Sequence, residues 1–114
     1  MGKFSFPRQY RLSDRESVRH AFKEFPFFER RVKLFVVSNC LEYNRYMVTF
    51  RRNFGTAVKR NRIRRCSREV LRHLHPLLKQ GYDMVFLFTD PQIVITTNQN
   101  PLSVLLRKAH LFRD

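Results

Sequence analysis

The chain has 114 residues, enough for one domain with a real core, and a single domain over residues 1–114 is expected. Its 23 Lys and Arg outnumber 9 Asp and Glu, a net charge of +14 with a pI near 11.1, and such a surplus calls for a polyanion: RNA, DNA or an anionic membrane surface. With 43% hydrophobic residues and only 3 Gly and 5 Pro, wholesale disorder, collagen and low-complexity classes are excluded.

In chain order, Ser13-Asp14-Arg15-Glu16 fits a capping box with Ser13 at the N-cap and Glu16 at N3. Val18, Ala21, Phe22 and Phe25 follow at helical spacing, so a first amphipathic helix is predicted up to Pro26. Val32 to Cys40 reads as a strand, Glu42-Tyr43-Asn44-Arg45 as a turn, and Tyr46 to Arg52 as a second strand. Gly55-Thr56 punctuates the chain before a second helix that runs to about His75, where Pro76 ends it. Tyr82 to Thr89 is a further apolar strand. Residues 90–99 stay open between a short strand over Ile93-Val94-Ile95-Thr96-Thr97 and an extended loop. Asn100 as N-cap with Pro101 at N1 starts a last helix carrying Val104, Leu105, Leu106, Ala109 and Phe112.

Targeting signals are not visible. The longest apolar run, Met84-Val85-Phe86-Leu87-Phe88, is far short of the roughly 20 residues of a membrane span, and charge from Lys3 onward leaves no apolar stretch for a signal peptide. Cys40 and Cys66 make no disulfide framework and are expected as reduced, buried thiols of a cytoplasmic protein.

The charge is focused. Residues 51–72 hold nine cations, Arg51, Arg52, Lys59, Arg60, Arg62, Arg64, Arg65, Arg68 and Arg72, against the single acid Glu69, and so supply +8 of the +14. One glutamate cannot neutralise nine cations, so a face laced with salt bridges is the weaker reading. At about 100° per residue, Ile63, Cys66, Ser67, Val70, Leu71 and Leu74 share one side of the second helix. Asn61, Arg62, Arg64, Arg65, Arg68, Glu69 and Arg72 take the other, while Lys59 and Arg60 belong to the loop or first turn. Arg outnumbers Lys eight to one here. Guanidinium forks bind phosphate in pairs of hydrogen bonds and stack on bases, which favours structured RNA.

Twelve Phe and four Tyr accompany this charge, with Phe22, Phe25, Phe27, Phe28 and Phe35 clustered around the first helix and strand. Most are expected in the core; Phe22 and Phe35 become base-stacking platforms where they border a groove. A protein-only catalytic site finds no support. The acids are scattered, Asp14 and Glu16 are explained by capping, His73-x-His75 lacks the i, i+4 spacing of a helical metal pair, and no CxxC or phosphate-binding Gly-rich loop exists.

The run Phe50-Arg51-Arg52-Asn53-Phe54-Gly55-Thr56-Ala57-Val58-Lys59-Arg60-Asn61-Arg62-Ile63-Arg64-Arg65, with Arg68-Glu69 one turn later, resembles the signature of the bacterial ribonuclease P protein subunit family. Arg11-Leu12 before the first helix, Gly81-Tyr82-Asp83 before an apolar strand and the last Leu/Arg helix resemble that family's flanks. The resemblance implies an α+β sandwich of the ribosomal protein S5 domain 2-like kind. About four strands pack with three helices in α-β-β-β-α-β-α order, with a left-handed βαβ crossover through the basic helix; the general rule would have favoured the right-handed one.

The resemblance also implies a function: partnering a catalytic RNA that, with Mg²⁺ held mainly by the RNA, removes the 5′ leader of precursor tRNA by endonucleolytic hydrolysis of one phosphodiester. On that basis Arg51, Arg52, Lys59, Arg60, Asn61, Arg62, Arg64, Arg65 and Arg68 are expected to bind RNA. Phe22, Phe35 and Val37 are expected to line the cleft for the leader, with no protein-held metal and neither DNA nor membrane as partner. Asn53, where a basic residue is usual, and Val18 and Val37, where aromatics are common, depart from the family pattern. The alternatives are a structural RNA-binding protein of ribosomal type and, less well matched, a membrane-surface binder.

Overall fold

The computed structural model describes residues 7–96 and 100–113. The elements run α1 (Arg15–Phe22), β1 (Phe27–Glu29), β2 (Val32–Ser38), β3 (Arg45–Phe50), α2 (Ala57–Leu74), β4 (Tyr82–Phe88) and α3 (Leu102–Lys108). One four-stranded sheet has the order β1-β2-β4-β3: β1 and β4 run antiparallel to β2, and β3 runs parallel to β4. A parallel neighbour needs a crossover, and α2 supplies it.

Alternation along the strands divides the sheet into two faces. Val32 and Leu34 of β2, Tyr46 of β3 and Met84, Phe86 and Phe88 of β4 meet Ile63, Val70 and Leu71 of α2 and Leu102, Leu105 and Leu106 of α3 in the main core. Phe35 and Val85 point the other way and form a smaller cluster with Ala21 of α1 and Leu12. One face therefore carries two helices and the other only α1.

Polar links fix α1 across that second face. Arg45 stands opposite Asp83 in the β3/β4 register, and its Nε and Nη2 donate to the Asp83 carboxylate at 2.9 and 2.8 Å. These bonds raise the affinity of Arg45 for its proton. Arg45 Nη1 also reaches Asp14 at 3.3 Å, at the start of α1. Buried Asn44 donates to Lys79 O at 2.7 Å and accepts from Tyr82 N at 2.9 Å, stitching the entry of β3 to the entry of β4.

Several boundaries differ from the sequence reading. The N-cap of α1 is Asp14, not Ser13: Asp14 Oδ2 accepts from Ser17 N at 2.9 Å, and hydrogen bonding from the Ser17 side chain, then from its backbone, holds the carboxyl below its ordinary value. The helix stops at Phe22 because Pro26 disfavours helical geometry for Phe25, and Phe25 is 95% exposed instead of extending the apolar stripe. The short strand β1 had no segment of its own in the residue pattern. It turns into β2 through Arg30 and Arg31, with Arg30 at φ 55°, and neither residue is the Gly or Asn that usually marks such a turn. Of the two readings left open for residues 90–99, the irregular one holds over 93–96, where Ile93 reaches the main core; Thr97 lies outside the described residues.

Cys40 is exposed two residues beyond the end of β2, contrary to the expectation of a buried thiol, while Cys66 is half-buried and its thiol is pushed up by burial. The N-cap of the last helix is Pro101 rather than Asn100, since the regular helix begins at Leu102; Asn100, one residue earlier, still accepts from Leu102 N and Ser103 N at 3.1 and 3.4 Å through its Oδ1.

One helix position is under-used. Ser67 is fully buried against the core, and its hydroxyl has no hydrogen-bond partner among the described residues. Ser67→Ala removes a stranded polar group and improves helix propensity. Urea denaturation should show a gain of about 1 kcal/mol; a loss of that size would mean the hydroxyl is paired.

Candidate nucleic-acid interface

The loop that launches α2 is held from below. Phe54 is buried with its ring 4.8 Å from that of Phe50, and Gly55 takes φ +51°, where a Cβ would stand 3.3 Å from Pro91 Cβ. Thr56 caps the helix, its Oγ1 accepting from Lys59 N at 3.1 Å. Arg60 turns back and donates from Nη1 to Gly55 O at 3.0 Å and Phe54 O at 3.3 Å. Arg60 thus braces the loop as well as adding charge to it.

Beyond this turn the helix is divided as its periodicity predicts. Ile63, Ser67, Val70 and Leu71 are buried, while Asn61, Arg62, Arg65 and Arg68 are exposed. Arg64 is half-buried, its guanidinium 4.9 Å from the centre of the Phe50 ring. Glu69 is occupied by Arg72 at 3.0 and 3.2 Å; that hydrogen bonding holds its carboxyl low and Arg72 high. Among the described residues, no carboxylate pairs with Arg62, Arg65 or Arg68. Arg51, Arg52 and Lys59 likewise make no ion pair there, and Arg51 and Arg52 are exposed just after β3.

Arg11 was not singled out as a site residue, yet it joins this face. Leu12 N donates to Tyr46 O at 2.8 Å, so the N-terminal segment runs beside β3. Between that segment, β3 and α2 lies a cleft of about 210 Å³ lined by Arg11, Arg64 and Arg68 over Tyr46, Val48 and Leu71. Burial, then the nearby charges of Arg11 and Arg64, weakens the hold of Arg68 on its proton. Three cations converging with no carboxylate among the described residues that line the cleft is a strained arrangement that a phosphate would relieve. Only the pairing of Leu12 along β3, which the sequence pattern did not reveal, could have found Arg11.

The aromatic residues expected in a leader cleft sit on the opposite face of the sheet. Phe22, at the end of α1, meets Phe35 edge-on at 4.8 Å. Phe22 is 39% exposed and Phe35 only 8%, so Phe22 offers the ring surface and Phe35 supports it from beneath. Val37 shares the face and is half-buried. Of the five clustered phenylalanines only Phe35 is buried; Phe22, Phe25, Phe27 and Phe28 are exposed, against the expectation that most are core. The structure therefore gathers the arginines into one surface and places the Phe22–Phe35 ring pair on the other face of the sheet.

A metal-binding role for these residues does not fit. Asp14, Asp83 and Glu69 are each held by arginine, and no group of His, Cys, Asp or Glu among the described residues is arranged to bind an ion.

Replacing one of the converging cations tests the repulsion. Arg68→Gln should stabilise the free chain at low salt by about 0.5 kcal/mol, the scale of a like-charge i, i+4 pair, and the gain should vanish in 1 M salt. Destabilisation at low salt in thermal melts would reveal an anionic partner for Arg68.

Comparison with known proteins bears on the family and the fold. A family model described as Ribonuclease P matches residues 6–109. A ribonuclease P protein component from Chloroflexus aurantiacus is 46% identical over 63 residues, covering 53% of this chain and about half (47%) of the relative. One from Borreliella burgdorferi is 34% identical over 93 residues, 78% of each chain. The solved structure of a Staphylococcus aureus RNase P protein mutant superposes with a TM-score of 0.82 over 92% of each chain; at 22% identity this likeness concerns the fold.

Proposed function

This chain belongs to the ribonuclease P protein family, and from that membership and its cationic face we propose that it is the protein subunit of a ribonuclease P, acting with a catalytic RNA in 5′ maturation of tRNA. The observation that carries the reading is the row Arg62, Arg65 and Arg68, exposed on one helix and paired with no carboxylate among the described residues, since nearby Glu69 is taken by Arg72. Guanidinium forks at one-turn spacing suit successive phosphates of a structured RNA. Arg51, Arg52, Lys59, Arg60, Asn61 and Arg64 extend that contact along the loop and first turns, and Arg11 widens it toward β3.

The protein's own contribution is electrostatic and positional. Two polyanions, the catalytic RNA and the precursor tRNA, repel each other; a body of charge +14 between them lowers that repulsion. On the other face, the Phe22 ring, backed by Phe35 and flanked by Val37, receives an unpaired base of the leader. The RNA carries the hydrolysis of the single phosphodiester and holds the Mg²⁺, since the donor set of this chain suits phosphate rather than a divalent cation. The proposed partners are the catalytic RNA and precursor tRNA, with neither membrane nor DNA, in the cytoplasm. No helix among the described residues is long and apolar enough to cross a membrane.

The test is reconstitution. With the catalytic RNA and a leader-bearing precursor at low Mg²⁺, adding the chain should raise cleavage at least tenfold, and the stimulation should shrink as Mg²⁺ rises and screens the same repulsion. A structural RNA-binding protein of ribosomal type would bind RNA yet leave cleavage unchanged at every Mg²⁺ concentration.

A further inference from the structure

The face of the sheet that carries the aromatic cleft does not end at Phe22. Phe28 stands opposite Lys33 in the β1/β2 register, and Lys33 is two residues from Phe35 on the same strand. All three side chains therefore share the face on which α1 lies. Helix α1 packs on β2 and β4, so among the described residues no helix covers the β1 side of this face. Phe28 is 56% exposed, with the Lys33 ammonium 5.3 Å from its ring centre. It lies on the diagonal from Phe35, a separation of about 7–8 Å in such a pair.

Phe28 is also held in place. On the far side, Lys108 of α3 donates to Phe28 O at 2.6 Å and to the Glu29 carboxylate at 3.0 Å. The backbone beneath this exposed ring is thus pinned to α3.

We propose that Phe28 and Lys33 form a second stacking step for the single-stranded leader, beyond Phe22, in which the Phe28 ring takes a base and the Lys33 ammonium an adjoining phosphate. The proposal rests on the leader reading of the Phe22 cleft and extends it to the sheet edge. Charge favours a nucleic-acid occupant over a second copy of the chain. Arg30 is exposed at the β1/β2 turn, Lys33 borders the ring, and two chains of +14 repel. The three-residue edge of β1 is also a short template for strand pairing.

The experiment measures the affinity of the reconstituted holoenzyme for precursors with leaders of graded length, using the unaltered chain, Phe22→Ala, Phe28→Ala and Phe28→Trp. Long leaders should bind more tightly than short ones. In Phe28→Ala that advantage should fall about fivefold or more, the lower end of base–aromatic stacking, while Phe28→Trp restores it. If Phe22→Ala weakens leader-bearing precursor relative to mature tRNA but Phe28→Ala keeps the full length advantage, the second step is wrong and the Phe22 reading stands. If neither variant distinguishes leader-bearing precursor from mature tRNA, both fall. Concentration-dependent self-association lost in Phe28→Ala, with the length advantage intact, would assign the patch to chain–chain contact and overturn the proposal.

Discussion

The structure depends on one constraint: α2 must bury an apolar stripe while carrying cations of which, among the described residues, only Arg72 has a carboxylate partner on the helix. Ile63, Val70 and Leu71 bind the helix to the sheet strongly enough to hold Arg62, Arg64, Arg65 and Arg68 close together. A helix of this composition alone would be opposed by its own like charges. Docked as the crossover between parallel β3 and β4, it cannot move away from them without opening the main core. The repulsion is therefore stored at the surface, where a phosphate backbone can release it.

The loop before α2 serves the same end. Phe54 in the core, the left-handed turn at Gly55 and the return of Arg60 to its carbonyls set where the helix begins. Arg45 does comparable work on the other face. By bonding both Asp83 and Asp14 it ties the N-terminal end of α1 to the sheet, which places the far end of that helix, with Phe22, over Phe35. Two binding surfaces, one cationic and one aromatic, are thus supported by opposite faces of one sheet.

The cationic surface was legible in the sequence because it depends on a local period: every third or fourth residue of α2 is apolar, and the arginines fill the remainder. Glu69 was visible as the single acid, and its capture by Arg72 leaves the others uncompensated. Arg11 was hidden because its role comes from a pairing between distant segments, Leu12 with Tyr46. The phenylalanines misled for a related reason. Hydrophobicity places Phe25, Phe27 and Phe28 inside, but Pro26 ends α1 early and a three-residue edge strand has too little covering structure to bury them. Strand β1 itself lacked a turn signal, since Arg30 adopts the left-handed conformation without being Gly or Asn. The ion pairs of Arg45 rest on strand register, which the residue pattern of one strand does not contain.

The most direct test of the central claim is the salt dependence of binding to the catalytic RNA. Each phosphate neutralised by an arginine releases counterions, so log K falls with log[salt] by a slope of about 0.7–0.9 per contact. The double variant Arg62→Ala with Arg65→Ala should flatten that slope by about 1.5 relative to the unaltered chain. An unaltered slope in the double variant would mean that the exposed row of α2 does not touch RNA, and the account built on it would be wrong.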